Sequence, residues 1–534
     1  MPDTATLPGP PHQSGNGIER DRRAVIDFLT DPATHGGVER IERFETHGNF
    51  VFLAVTEAFK IKRAVRFDYM DFSTLEKRRV ACLREVEVNQ RCGGDLYLAC
   101  VPIRRSSSGR LSFNGDGEIV EWAVKMRRFD QADLFSTLAQ RGKIDADLAK
   151  QLARAVYDCH ESAHPAAPTS GTACFQDLTS SILGALAVSN LFGKADTSRL
   201  AAGLNRQLNR AASVLDERAR RGFVRRCHGD LHLTNIVLWR GRPALYDALE
   251  FDEALATIDA LYDLAFLLMD LDFRGLRSAA NTVLNEYLWR GNQDWDLRGL
   301  AGLPLFQTLR AAIRARVTVD RAAQEHGQAR NADVARARLY LETALVYVEP
   351  TPPQLVAVGG LSGNGKTTLA AALAPCTGSA PGAVHLRSDL ERKALAGVEV
   401  LERLPESAYT AEAHRRVYAS LRDKAKMILA ANYSVIVDAV YDAESDRDEI
   451  EATARALGVP FRAFWLEADA HKLLARVAAR HKDASDATPA IVQAQLGLHT
   501  GRLSAAWKPL NAGASGQETL RLAMAAAGLR LRGM

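Results

Sequence analysis

Long apolar runs are missing from this sequence. No stretch approaches the roughly 18 consecutive apolar residues that a membrane-spanning helix needs. The longest, such as LAFLLM at 264–269, have the length of core-helix segments. Cysteine is scarce as well: seven in 534 residues, at positions 82, 92, 100, 159, 174, 227 and 376, with no C-x-x-C pair. An odd count in a large chain argues against a disulfide framework, so reduced, mostly buried thiols in a cytoplasmic protein are expected. No cysteine spacing suits zinc. Charge of one sign is not in excess either, since the net charge is +4. Such a balance gives no bulk electrostatic case for nucleic acid, and Arg220-Arg221 and Arg225-Arg226 read as solvated faces. A secretory leader pattern is absent, because MPDTATLPGPPHQSGNG has no basic segment followed by an apolar core. Its Pro, Gly, Ser and Thr content predicts a disordered tail over 1–20.

What is present is an ordinary globular composition, 47% hydrophobic and 25% charged, in a chain long enough for two to four units at roughly 100–200 residues each. Short apolar alternations at 41–44, 50–55, 59–65, 96–103 and 119–126 read as strands, and the charged stretch 75–89 as a helix. From 131 to about 222, and again from 259 to 347, apolar residues recur at helical spacing. The prolines of Val348-Glu-Pro-Thr-Pro-Pro353 break that pattern. Beyond them strands at 355–358, 383–386, 434–438 and 461–466 alternate with helices, as in a parallel α/β sheet. The expected organisation is therefore a domain over 21–347, a Pro-rich linker over 348–353 and a second domain over 354–534.

The strongest local signal is Gly360-Leu-Ser-Gly-Asn-Gly365-Lys366-Thr367. It fits G-x-x-x-x-G-K-[ST], with the strand LVAVG before it and the helix former TTLAAALA after it. Small residues let backbone N–H groups curl around phosphate oxygens at a helix N-terminus. Gly360, Ser362, Gly363, Asn364, Gly365, Lys366, Thr367 and Thr368 are thus expected to hold nucleotide, with the Thr367 hydroxyl on Mg²⁺. Asp438, ending the apolar strand Val435-Ile-Val-Asp438, suits a place near the metal, or else simply caps the strand. Asp389, after the second strand, can accept a proton from an acceptor hydroxyl or can begin a helix. Arg387 or Arg392 can hold substrate anions. Arg476 and Arg480, four apart on one helix, form either a phosphate clamp or a solvated face. Residues 354–530 resemble small P-loop kinases of the gluconate-kinase, polynucleotide-kinase and zeta-toxin type, which implies transfer to a hydroxyl.

The second motif is His228-Gly-Asp230-Leu-His-Leu-Thr-Asn235. Asp230 can accept a proton from an incoming hydroxyl, and Asn235 can bind Mg²⁺ through its side-chain oxygen. A further carboxylate is needed at the end of the next hairpin, where Asp247 stands with Glu250 as its competitor. Phe59-Lys60-Ile-Lys62 places two lysines on one strand face. Residues 40–345 resemble aminoglycoside phosphotransferases and choline-kinase-like enzymes, relatives of protein kinases. On that resemblance one of the two lysines meets the nucleotide phosphates, Lys62 preferred and Lys60 the alternative, with Glu85 the expected partner ahead of Glu76 and Glu87. The loop 45–50 would cover the nucleotide, and Glu121–Met126 would be the strand that meets adenine. That resemblance implies Asp230 as base, Asn235 and Asp247 as metal ligands, His228 as a loop brace and Asp263 as a structural carboxylate.

Together these readings give a mixed α/β and α+β chain: a bilobal protein-kinase-like fold, then a P-loop sheet with flanking helices. FKIKRAV, DFSTLEKRR, VKMRRF, HGDLHLTN and YDLAFLLMDLD jointly resemble a bacterial fused protein of this composition. The implied activity is ATP- and Mg²⁺-dependent phosphoryl transfer to small-molecule hydroxyls at two sites. Alternatives are one catalytic domain regulated by a nucleotide sensor, a nucleic-acid end kinase, and aminoglycoside modification. For the last, Asp252, Glu253, Asp270 and Asp272 would be the carboxylates near the cleft.

Overall fold

The computed structural model describes residues 16–37, 40–46, 48–67, 70–167, 171–479, 484–497 and 500–528. Residues 1–15 of the expected tail lie outside these, whereas Asn16–Thr30 is helical. The chain divides into two compact units: one from residues up to 208 with 215–274 and 306–345, the other from 209–214, 275–305 and 346 onward. Residues 275–305, which the sequence reading groups with the first domain, thus pack in the second unit. Among the described residues no helix is long and apolar enough to cross a membrane.

The first unit begins with strands β1 (Glu42–Glu45), β2 (Asn49–Leu53) and β3 (Glu57–Lys62), helix α1 (Leu75–Gly93), and strands β4 (Tyr97–Arg105), β5 (Leu111–Ser112) and β6 (Glu118–Arg127). They form an antiparallel sheet in the order β1-β2-β3-β6-β4-β5. Thr74 starts α1 by accepting the Lys77 N–H at 3.3 Å, an N-cap that satisfies one orphan donor. Cys82 and Val86 of α1 share a core with Tyr97, Val124 and Met126. Glu85 and Asn89 lie on the same buried face. Polar groups there need dedicated partners.

Helices dominate the rest of this unit, including α2 (Ala146–Glu161), capped by Asp145. A hairpin of β7 (Ile236–Trp239) and β8 (Arg242–Leu245) follows the HGD motif. Helix α3 (Ala260–Phe273) is buried on nearly every face, Asp263 and Asp270 included. The expectation of reduced thiols throughout is corrected here, because Cys92, ending α1, is bonded to Cys159, ending α2. The two lie 67 residues apart in sequence, so no spacing rule joins them. Cys82, Cys100, Cys174, Cys227 and Cys376 are free.

The second unit starts with α4 (Arg277–Gly291) and α5 (Asp294–Gly299). After the Pro-rich segment come β9 (Leu355–Gly359), α6 (Lys366–Leu373), β10 (Val384–Arg387), α7 (Ser388–Ala396), α8 (Ala411–Ala430), β11 (Val435–Asp438), a crossover helix over Glu444–Ala456, β12 (Phe461–Glu467), α9 (Ala470–Ala478), α10 (Pro489–Leu496), β13 (Trp507–Asn511) and α11 (Gly516–Ala527). The sheet is parallel, in the order β10-β11-β9-β12-β13. Its central strands β9 and β11 are buried along their whole length, as expected when helices cover both faces. Val356, Val358, Ile436 and Phe464 pack with Leu369 of α6 and Met524 of α11. The fifth strand, β13, escapes the sequence reading because Lys508 and Pro509 interrupt its apolar pattern. Proline is tolerated on a sheet edge, which is where β13 lies.

Candidate active sites

In the first unit, β3 sends Lys60 and Lys62 from one face toward Glu85 on α1. Lys60 Nζ lies 2.9 Å from Glu85 Oε1, and Lys62 Nζ 2.5 Å from Oε2. Each lysine has a second carboxylate: Asp247 is 2.6 Å from Lys60, and Glu250 bonds Lys62. Glu76 and Glu87 instead pair with Arg79 and Arg84. The Lys62 side chain is fully enclosed, at 0% exposure, whereas Lys60 and Asp247 each keep 10%. Lys60 and Asp247 line a cavity with Val51, Leu53, Ala58 and Met126, so it is Lys60, not the preferred Lys62, that reaches open space. Met126 belongs to the strand expected to meet adenine. Thr46 and Asn49 of the covering loop also line the cavity, while His47 lies outside the described residues. Burial alone would lower the Lys60 pKa, but Asp247, Glu85 and Glu250 hold it well above the ordinary value.

Asp247 follows β8 with φ 61, a left-handed backbone uncommon for a non-glycine residue and found at functional sites. Its N–H donates to the Tyr97 hydroxyl at 3.1 Å, and the next N–H, of Ala248, donates to Asn89 Oδ1 at 2.8 Å. Helix α1 therefore fixes both the lysine pair and the segment carrying Asp247. Asn89, four residues after Glu85, was legible only as a polar residue on an apolar helix face.

Helix α3 organises the HGD loop. Asp263 accepts the N–H groups of His228 and Gly229, each at 3.0 Å, and lies 3.2 Å from His160 Nε2. Two turns on, Asp270 accepts the Leu233 N–H at 3.0 Å. His228 Nε2 meets the Tyr246 carbonyl at 2.9 Å, tying the loop to the segment that leads from β8 to Asp247. Asn235 donates to the Asp230 carbonyl at 3.0 Å and to its carboxylate at 2.9 Å. Asn235 Oδ1 is left buried with no hydrogen-bond partner. Burial pushes the Asp230 pKa up, but His232, Arg314 and His228 more than offset this and hold it below the usual carboxylate range. Of the carboxylates named for a cationic acceptor, Asp270 holds the loop, Asp252 caps the short helix Glu253–Ala256, and Glu253 pairs with Arg84 and Arg226.

In the second unit the glycine-rich turn joins β9 to α6. Gly360 (φ 133) and Gly363 (φ 88) have backbones that disfavour side chains, and a Cβ would sit 2.6 Å from Leu466 O and 2.8 Å from Leu473 O respectively. Gly365 (φ 81) precedes α6. The Thr367 hydroxyl donates to Asp438 Oδ2 at 2.6 Å. His385 Nε2 lies 3.4 Å from the same oxygen. Burial raises the Asp438 pKa, but His385, Lys366 and Arg387 outweigh it and hold the carboxyl below its ordinary value. Lys366 Nζ donates to Leu361 O at 3.1 Å. Asn364 is buried, and the Ser362 N–H donates to Gln495 of α10 at 2.9 Å. Thr368 follows on the exposed side of α6.

Arg476 on α9 reaches Gly363 O at 3.4 Å and Ala512 O at 2.9 Å, so it lies against the turn. Arg480 falls outside the described residues. Asp389 is in the first turn of α7, half-buried, with Arg387 rather than Ser388 or Asp389 at the N-cap. Arg392 donates to Ala408 O at 2.8 Å and covers the Tyr409 ring. Sequence reasoning missed His385, whose only signal was a polar residue inside an apolar strand.

A sequence-family model described as an AAA domain matches residues 355–500. The Mycobacterium tuberculosis (strain H37Rv) protein Rv2004c is 30% identical over 480 residues, covering 84% of this chain and 88% of its own length. The chain belongs to the same family as Rv2004c. At that coverage a continuous match must contain both 228–247 and 360–438, so the motif segments of both units fall within the family's shared span. Among solved structures, a choline/ethanolamine kinase family protein from Mesorhizobium loti is 13% identical, with a TM-score of 0.37, over 62% of this chain and 99% of that one. A sugar kinase from Janibacter sp. is 21% identical, with a TM-score of 0.26, over 33% of this chain and 96% of that one.

Proposed function

We propose that the chain carries two ATP- and Mg²⁺-dependent phosphotransferase centres, each moving the γ-phosphoryl group to a hydroxyl of a small-molecule acceptor. The observation that carries this reading is repeated in both units: a carboxylate that ends or follows a strand, within electrostatic reach of a lysine. In the first unit the pair is Lys60 and Asp247, 2.6 Å apart. In the second it is Lys366 and Asp438, where the lysine's charge helps hold the carboxyl below its ordinary value and the carboxylate accepts the Thr367 hydroxyl.

The donor chemistry fits Mg²⁺, which takes oxygen ligands and keeps several waters. Asn235 Oδ1, buried and without a hydrogen-bond partner, and Asp247 would hold it in the first centre; Thr367 and Asp438 would hold it in the second. When bound, the ion neutralises charge on the transferring phosphate. Lys60 would then exchange Asp247 for phosphate oxygens, with Glu85 keeping the ammonium group aimed and Lys62 anchoring Glu85 from behind. Asp230, held ionised by His232 and Arg314, accepts the proton of the acceptor hydroxyl as its oxygen attacks phosphorus.

In the second centre the amides of 360–365 and Lys366 cradle the phosphates, joined by Ser362, Asn364 and Thr368. Arg476 and Arg480 clamp the transferring group, and Asp389 takes the acceptor proton. The test is ADP release across sugars, amino-alcohols, aminoglycosides and nucleosides, with wild type beside Asp230→Ala and Lys366→Ala. A compound that raises the rate, with the rise abolished by one variant only, assigns that centre and its acceptor class. Failure of every compound, with nucleotide still bound, would favour a sensor role for that unit.

A further inference from the structure

The P-loop sheet ends on one side at β10, an edge strand whose outward peptide groups need partners. Helix α4, from the 275–305 segment of the same unit, meets them. Asn281 Nδ2 donates to Ala383 O at 3.0 Å and Asn285 Nδ2 to the same oxygen at 3.3 Å. Asn285 Oδ1 accepts the His385 N–H at 2.7 Å. A carboxamide offers a donor and an acceptor on one planar group, as a peptide does, so Asn285 completes this edge as a further strand would. Asn285 Nδ2 also contacts Asn281 Oδ1 at 3.1 Å, which locks the two amides together. Asparagine is a poor helix former, so two of them a turn apart, one of them buried at 4% exposure, are not there for the helix's sake.

The edge so fixed carries His385, whose buried Nε2 lies 3.4 Å from Asp438 Oδ2, in contact with that carboxylate without a hydrogen bond to it. That oxygen in turn receives the Thr367 hydroxyl at 2.6 Å. We propose that Asn281 and Asn285 are positioning residues of the P-loop centre: through the backbone of β10 they hold His385 so that it aims the Asp438 carboxylate at Thr367 and the divalent cation. This rests on the P-loop reading given above. It makes the metal site of the second unit depend on a helix encoded some 70 residues before the Pro-rich segment.

Partners behind metal ligands typically matter by about 10–100-fold in metal affinity. The full chain is titrated with Mg²⁺ while binding of a fluorescent ATP analogue is followed, and the P-loop component is the part removed by Lys366→Ala. Asn285→Ala is expected to raise the Mg²⁺ midpoint of that component about tenfold. Asn292→Ala, at the far end of α4, should leave the midpoint unchanged. A folded Asn285→Ala protein with a wild-type midpoint overturns the proposal. Should Asn285→Ala fail to fold, His385→Phe keeps the α4 contacts and removes only the imidazole; an unaltered midpoint there overturns it equally. If Lys366→Ala removes no nucleotide binding at all, it is the P-loop reading that fails.

Discussion

Residue by residue, the two lysines of β3 separate stability from binding. Lys62 is sealed between Glu85 and Glu250, and burial pushes the Glu250 pKa up against the pull of that lysine. Lys62→Met leaves Glu250 without its cation and Glu85 with Lys60 alone, and breaking a buried pair costs about 3–5 kcal/mol. A large drop in the urea midpoint is expected. Lys60→Met should act mainly on nucleotide, raising the KM for ATP at the first centre in steady-state assays. Asp230→Asn is expected to lower turnover at that centre about 100-fold or more while leaving ATP binding intact, measured in a Lys366→Ala background so that only one centre reports. The lysine choice was not legible beforehand. Strand alternation puts both side chains on one face, and segments distant in the chain decide which one is enclosed: Glu250 and the Phe72 ring cover Lys62, whereas Lys60 meets Asp247 at the cavity.

At the scale of elements, α1, α2 and α3 converge on the HGD loop and titrate with it. Burial lowers the His228 pKa despite the opposing pull of Asp263, Asp230 and Asp247. The unfolded chain therefore takes up this proton first as pH falls below about 6.5. Stability should decline on acidification from there, by at most about 1.4 kcal/mol per pH unit for this one group. The depressed carboxyls Asp230 and Asp263 add their own loss only below about pH 4, where the unfolded carboxyls protonate. Chemical denaturation at pH 7 and pH 5.5, with His228→Gln for comparison, checks the sign: the variant should lose the His228 share of the decline, while His385, likewise pushed down by burial, keeps its own. The Cys92–Cys159 bond joins α1 to α2 beside this loop. Cys92→Ala should lower stability by about 2–4 kcal/mol under non-reducing conditions, and thiol titration of the denatured, unreduced wild type should find five free thiols. Helix and strand positions in this region were legible to within a few residues from spacing and turn residues. The cross-link was not, because disulfide pairing depends on which helix ends meet in space.

For the whole molecule, the motif order along the chain differs from the division of its packing. Residues 275–305 lie between segments of the first unit in sequence and yet pack in the second. Residues 346–534 expressed alone would expose the β10 edge and its unpaired groups, which is a route to aggregation. Such a fragment is expected to be insoluble or to melt non-cooperatively, and co-expression with 275–305 should restore soluble protein; circular dichroism melts distinguish the cases.

The sequence by itself determined the two phosphate-type motifs, the parallel sheet of the second unit and the strand-rich lobe of the first. These follow from local spacing: glycines that permit the turn at 360–365, alternation in β2 and β3, and apolar runs in β9 and β11. Tertiary structure alone decided that Lys60 rather than Lys62 faces the cavity, that Cys92 meets Cys159, that β13 completes the sheet, and that Asn285 holds His385. Each of these is a contact between segments distant in the chain, and hydrophobic periodicity records which side of an element is buried but not what it is buried against.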